Sequence, residues 1–217
     1  MIDREEIQNN FLAKTFINMV NNFEQIKNLL TFESEDDFYL LQILRRKKEN
    51  PDVGNKPNVV KTYYIDSIEY LDKLKPEIIG LCEERNARAY ITVNRRSFKN
   101  VALKTLVEIA SCIESGNYKS VRKAYESIAG KHSSEKDKKW IIDIDWGDYL
   151  DNKTEFARIS TFAEELQEEA NREPFSELIL TKNGIHIITR PFNLDKFKKK
   201  YPGVEIHKDR YTILYIP

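Results

Sequence analysis

The stretch ELILTKNGIHIIT (residues 177–189) decides how the last third of the chain folds. Two short runs of branched apolar residues flank a polar Thr-Lys-Asn-Gly, and Asn-Gly between such runs is a strong hairpin signal. Upstream, TEFARISTFAEELQEEAN (154–171) puts Phe156, Ile159, Phe162, Ala163 and Leu166 at three- and four-residue steps, the period of an amphipathic helix. Before that helix, WIIDID (140–145) reads as a strand. After the hairpin, NLDKFKKKY (193–201) reads as a short helix with Asn193 as its N-cap, stopped by Pro202 and Gly203. The chain closes on strand material, VEIHKD (204–209) and YTILYIP (211–217). The order is β-α-β-β-α-β, that of the ferredoxin-like unit.

In that unit the first and third strands are antiparallel neighbours. Alternation along 140–145 sends Ile142 and Ile144 toward the helices and Asp143 and Asp145 to the other face. The same rule sends Ile185 and Ile187 to the helices and His186 to the face of the aspartates. If 211–217 is the fourth strand, Asp209 stands just before its start, at the same end. If 204–209 is the fourth strand instead, Glu205 and His207, which share a face, take that role. The first arrangement is preferred. Two carboxylates one residue apart on a strand suit hard divalent cations such as Mg²⁺ or Mn²⁺. Two such ions can clamp the attacking and leaving oxygens of a phosphoryl or nucleotidyl transfer.

The chain reads as three segments, the last of them this unit. Residues 1–58 read as helical, with one helix over 3–30 and a second over 34–48, whose acids lead and whose bases follow. Residues 59–139 read as an α/β region, with strands at VVKTYYI (59–65) and ARAYITVN (87–94) and a helix over 67–85 that Pro76 should kink or split. Residues 140–217 are the ferredoxin-like sheet, and 59–217 could form one compact domain. The class is α+β, a helical and α/β N-terminal region packed on the C-terminal sheet.

Composition narrows the function. Lys plus Arg balance Asp plus Glu, 35 against 35, so net charge gives no general attraction to nucleic acid. No run of about 18 apolar residues is available to span a membrane. The N-terminus, MIDREEIQNN, lacks the basic-then-apolar pattern of a secretory signal. Cys82 and Cys112 stand alone, which gives neither a zinc finger nor a disulfide framework and suits a reducing, cytoplasmic setting.

At IIDID and TKNGIH the chain resembles the archaeo-eukaryotic primase superfamily of primases and primase-polymerases, nearest in motif style to the polymerase domain of bacterial ligase D. The resemblance implies a nucleotidyltransferase with an RRM-like catalytic sheet, acting on nucleoside triphosphates with a DNA or RNA template or primer, alongside replication proteins. It implies Asp143 and Asp145 as ligands of two Mg²⁺ or Mn²⁺ ions, His186 as the contact to the incoming nucleotide's phosphates, and Asp209 as the third carboxylate. Gly184 stands where many members carry serine. Lys182 and Arg190, beside the hairpin, are candidates to neutralise phosphate. Arg88, Arg95 and Arg96, around 87–94, are candidates to contact a template strand. Two rival readings remain: a non-catalytic primase-like domain that binds nucleic acid or protein, and another two-metal enzyme on such a sheet, a nucleotide cyclase or a nuclease.

Overall fold

A computed structural model describes residues 19–54, 58–133, 136, 138–145 and 155–217. Their elements run in chain order β1 (Val20–Asn21), α1 (Phe23–Leu29), β2 (Asp37–Arg45), β3 (Asn58–Ile65), α2 (Ile68–Arg85), β4 (Arg88–Thr92) and β5 (Arg96–Ser97). They continue with α3 (Phe98–Glu114), α4 (Tyr118–Val121), α5 (Ala124–Lys131), β6 (Trp140–Asp145), α6 (Glu155–Glu169), β7 (Ser176–Leu180), β8 (Gly184–Thr189), α7 (Leu194–Lys200), β9 (Glu205–His207) and β10 (Tyr211–Ile216). The protein is α+β, with two antiparallel sheets.

The larger sheet is ordered β1-β10-β4-β2-β3, with β5 paired to β2. Its strands come from all three segments of the sequence reading. The helix expected over 34–48 is instead β2, the strand between β4 and β3. The reason lies in Phe38–Ile43, which is apolar on both sides. Tyr39, Leu41 and Ile43 enter one core, Phe38 and Leu40 another. A strand buried on both faces loses its two-residue alternation, so periodicity cannot tell it from a buried helix. Of the helix expected over 3–30, the described residues keep only α1; Val20–Asn21 is instead a short strand on β10, and 3–18 lie outside them.

Helix α2 runs unbroken through Pro76, against expectation. Pro76 removes one backbone donor, but both Pro76 and Asp72, whose carbonyl loses its partner, are exposed, so solvent can hydrate that carbonyl. The ends are set locally: Ser67 accepts from the Tyr70 amide, and Asn86 terminates the helix in the left-handed region at φ 46°.

The smaller sheet is ordered β7-β8-β6-β9. Its fourth strand is Glu205–His207, the arrangement that was not preferred, and Tyr211–Ile216 leaves to pair with β4 in the larger sheet. Ile142, Ile144, Ile185 and Ile187 pack against Ile159, Ala163, Leu166 and Phe197 of α6 and α7, as the alternation requires. The other face is not left to solvent. Ile141, Ile179 and Ile188 join Leu214, Tyr215 and Ile91 in a core shared by the two sheets. Asn22 ties the sheets together, its Nδ2 donating to Leu180 O and Ile213 O at 2.9 and 3.0 Å.

Gly184 matters for close approach. It opposes Asp145 across β6–β8, and a Cβ there would lie 1.9 Å from Ile144 O. Its φ is not positive, so the residue serves the strand contact and not the turn. A serine at this position would force the two strands apart. No helix of the described residues is long and apolar enough to cross a membrane.

Candidate functional site

Asp143 lies in the middle of a cross-strand row. Its register partners are His186 on β8 and Glu205 on β9. His207, two residues after Glu205 and so on the same face, reaches back to it. His186 Nε2 lies 3.5 Å from Asp143 Oδ1, while His207 Nε2 lies 3.7 Å from Oδ2 and 3.5 Å from Glu205 Oε2. The two Asp143 oxygens are thus divided, one facing the buried histidine and one facing the β9 pair.

Burial grades across this row. The His186 side chain is 13% exposed, Asp143 31%, His207 33% and Glu205 74%. His186 Nδ1 lies 2.9 Å from Oγ1 of Thr212, a wholly buried residue of β10. Burial first, then the nearby His207, pushes His186 down to about 4, against a smaller opposing pull from Asp145. The imidazole is therefore neutral at pH 7, and its approach to Asp143 is a polar contact and not an ion pair. The tautomer that serves both neighbours accepts the Thr212 hydroxyl proton at Nδ1 and turns Nε2–H toward the carboxylate. Burial also raises the Asp143 carboxyl; His207 opposes that shift and Glu205 adds to it.

These shifts carry opposite pH dependences. His186 binds its proton in the unfolded chain near pH 6.5 but in the folded protein only near 4, so its contribution to stability is lost as pH falls through that window. A difference of that size amounts to roughly 3 kcal/mol. Asp143, raised in the folded state, works the other way and favours folding at acid pH. Urea unfolding between pH 7 and 4 should show stability falling with acidity in wild type and a flatter profile in His186→Asn. Parallel profiles would mean that His186 is protonated normally.

Ligand atoms of Asp143, Glu205 and His207 all lie within 4.8 Å of one another, so among the described residues these are the ones that could hold a cation. Donors around an ion at about 2.1–2.3 Å sit roughly 3 Å apart. His207 Nε2 is already 3.7 and 3.5 Å from the two carboxylates, so gathering the three donors around an ion would need side-chain rotation, chiefly of the exposed Glu205. Two carboxylates with one imidazole favour Mn²⁺, Zn²⁺ or Fe²⁺ over Mg²⁺, which prefers oxygen. Asp145 is exposed at the end of the same face of β6.

Other residues singled out in the sequence fall elsewhere. Asp209 is not in this row. It follows β9, and its Oδ1 is 3.1 Å from Nη2 of the fully buried Arg96, because β10 turns away into the larger sheet. Arg95 pairs with Glu33 at 2.7 Å and Asp37 at 3.3 Å, and Arg88 with Glu49. All three arginines are buried among internal partners, so none presents a cation to a template strand. Arg190 binds the Glu173 carbonyl at 2.9 Å, at the opposite end of β8 from Gly184 and Asp145. Lys182, in the β7–β8 turn, is on the Asp145 side, with Glu49 at 3.9 Å. Thr212 was missed because in YTILYIP it reads as an ordinary strand threonine. Only the packing of β10 against the face of the smaller sheet reveals it as the partner of His186.

Compared with protein-family models, with curated proteins and with solved structures, the chain matches none.

Proposed function

We propose that this protein is a divalent-metal-dependent nucleotidyltransferase of primase-polymerase type, acting on nucleoside triphosphates at a nucleic-acid primer. The observation that carries the reading is the row His186–Asp143–Glu205 with His207 beside it. The ferredoxin-like reading of the smaller sheet is supported by its strand order, β9-β6-β8-β7, with helices after the first and third strands in chain order. In this reading Asp143, Glu205 and His207 hold one ion, and Asp145 is available to a second. Bound Mn²⁺, which suits this donor set better than Mg²⁺, would supply charge neutralisation at the reacting phosphate. His186 acts as a positioning residue, its Nε2–H fixing Asp143 Oδ1 so that Oδ2 faces His207. Lys182, in the β7–β8 turn, would supply a cation for a triphosphate at the Asp145 end.

The internal pairing of Arg88, Arg95 and Arg96 favours a second reading, a metal enzyme of cyclase type that acts on free nucleotide without a template. One assay separates them: labelled nucleoside triphosphate with Mn²⁺, with and without a primed template. Primer extension is expected, falling at least about 100-fold in Asp143→Ala and about 10-fold in His186→Ala. Template-independent cyclic product would favour the second reading. Product formation unchanged in Asp143→Ala would remove both.

A further inference from the structure

Helix α3 has two apolar faces, and the described residues cover only one of them. Val101, Thr105 and Cys112 are buried, Val101 packing with Phe38, Leu40 and Ile128 over the larger sheet. On the opposite face Leu103, Leu106, Val107 and Ile113 are 53, 65, 72 and 52% exposed, and Ala110 between them is exposed too. These positions follow a three- and four-residue step along three turns, the seam of a helix–helix contact. Leu103, Leu106, Val107 and Ile113 are half of the large hydrophobic side chains exposed among the described residues.

We propose that this seam is a homodimer interface, in which α3 packs antiparallel against α3 of a second copy. The ends of the seam identify the occupant. Lys99 begins it and Glu114 ends it, both exposed and both on the seam face by helical spacing. The order runs against the helix dipole: the first turn has no acid and the last turn no base. An antiparallel copy reverses that penalty, because its own dipole runs the other way. With the two-fold axis between Leu106 and Val107, Lys99 of each copy meets Glu114 of the other. The same register sets Leu103 against Ala110, large against small, and Leu106 against Val107. One register thus satisfies charge and volume at once, as a self-complementary contact must.

A single helix pair covers roughly 1,000 Å², the low end for a specific contact, so the dissociation constant should be micromolar, about 10 µM. Sedimentation equilibrium of the full chain from 1 to 200 µM tests it. Wild type should dimerise within that range. Leu106→Glu should weaken the dimer at least 100-fold while its melting temperature as a monomer stays unchanged. Lys99→Glu and Glu114→Lys should each weaken it about tenfold, and the exchanged pair Lys99→Glu/Glu114→Lys should restore it. A wild-type monomer at 200 µM would overturn the proposal, leaving the seam to residues 1–18 or to another protein. So would a dimer that survives Leu106→Glu, or an exchanged pair no stronger than the single variants.

Discussion

Asp209→Asn should lower the melting temperature by about 10 °C and leave metal binding intact. Arg96 is wholly buried, and its Nε donates to Ala129 O at 3.0 Å. Burial pushes the guanidinium down from its ordinary range, and the carboxylate of Asp209 is the main influence holding it up. Nη2 approaches Oδ1 at 3.1 Å off the hydrogen-bonding axis, so the contribution is that of charge more than of a directed bond. Asn94, also buried, links the pair to the chain entering β6: its Nδ2 donates to Asp209 Oδ1 at 3.3 Å and to Lys139 O at 3.0 Å. Removing one partner of a buried pair leaves an uncompensated charge and costs about 3–5 kcal/mol. Asp209 is 18% exposed, which keeps the expected loss at the lower end. For a chain of this size each kcal/mol moves the midpoint by about 2–4 °C. Arg96→Met with Asp209→Leu should recover much of the loss, because no charge then remains buried. Thermal unfolding followed by circular dichroism checks both variants.

The second large effect belongs to the proposed metal-binding row. Asp143 is held in a half-buried position that raises its carboxyl, a shift that His207 offsets in part and Glu205 adds to. Such an arrangement is costly without a cation and relieved by one. Asp143→Asn should therefore stabilise the metal-free protein by about 2–4 °C while abolishing the stabilisation that Mn²⁺ gives wild type. A residue whose removal helps the fold but ends ligand binding is acting for the site.

The sequence carried the C-terminal sheet well because its signals were local. Alternation in WIIDID and GIHIIT separated Ile142, Ile144, Ile185 and Ile187 from Asp143 and His186, and the observed cores divide in that way. Asn193 accepts from the Lys196 amide at 3.0 Å, the cap that its place before α7 predicts. What was not legible depended on pairing across long separations. Nothing local distinguishes Glu205–His207 from Tyr211–Ile216 as the partner of β6. That choice was made by Leu214 and Tyr215, which complete the core shared with α2 and β4. The misassignment of Asp209 followed directly from it. Likewise the charges of Arg88, Arg95 and Arg96 were visible, but their acidic partners were not: Glu49 lies 39 positions before Arg88, Glu33 and Asp37 lie 62 and 58 before Arg95, and Asp209 lies far after Arg96, beyond β9.

The most direct test is Mn²⁺ binding, followed by the loss of the free-ion paramagnetic resonance signal on titration into the metal-free protein at pH 7. Wild type should bind with a dissociation constant below the millimolar range. Asp143→Asn, Glu205→Gln and His207→Ala should each weaken it at least about 100-fold, and Asp209→Asn, held well below its melting temperature, should bind as wild type does. Binding lost in Asp209→Asn but retained in Glu205→Gln and His207→Ala, or no binding in wild type, would contradict the metal centre on β6 and β9.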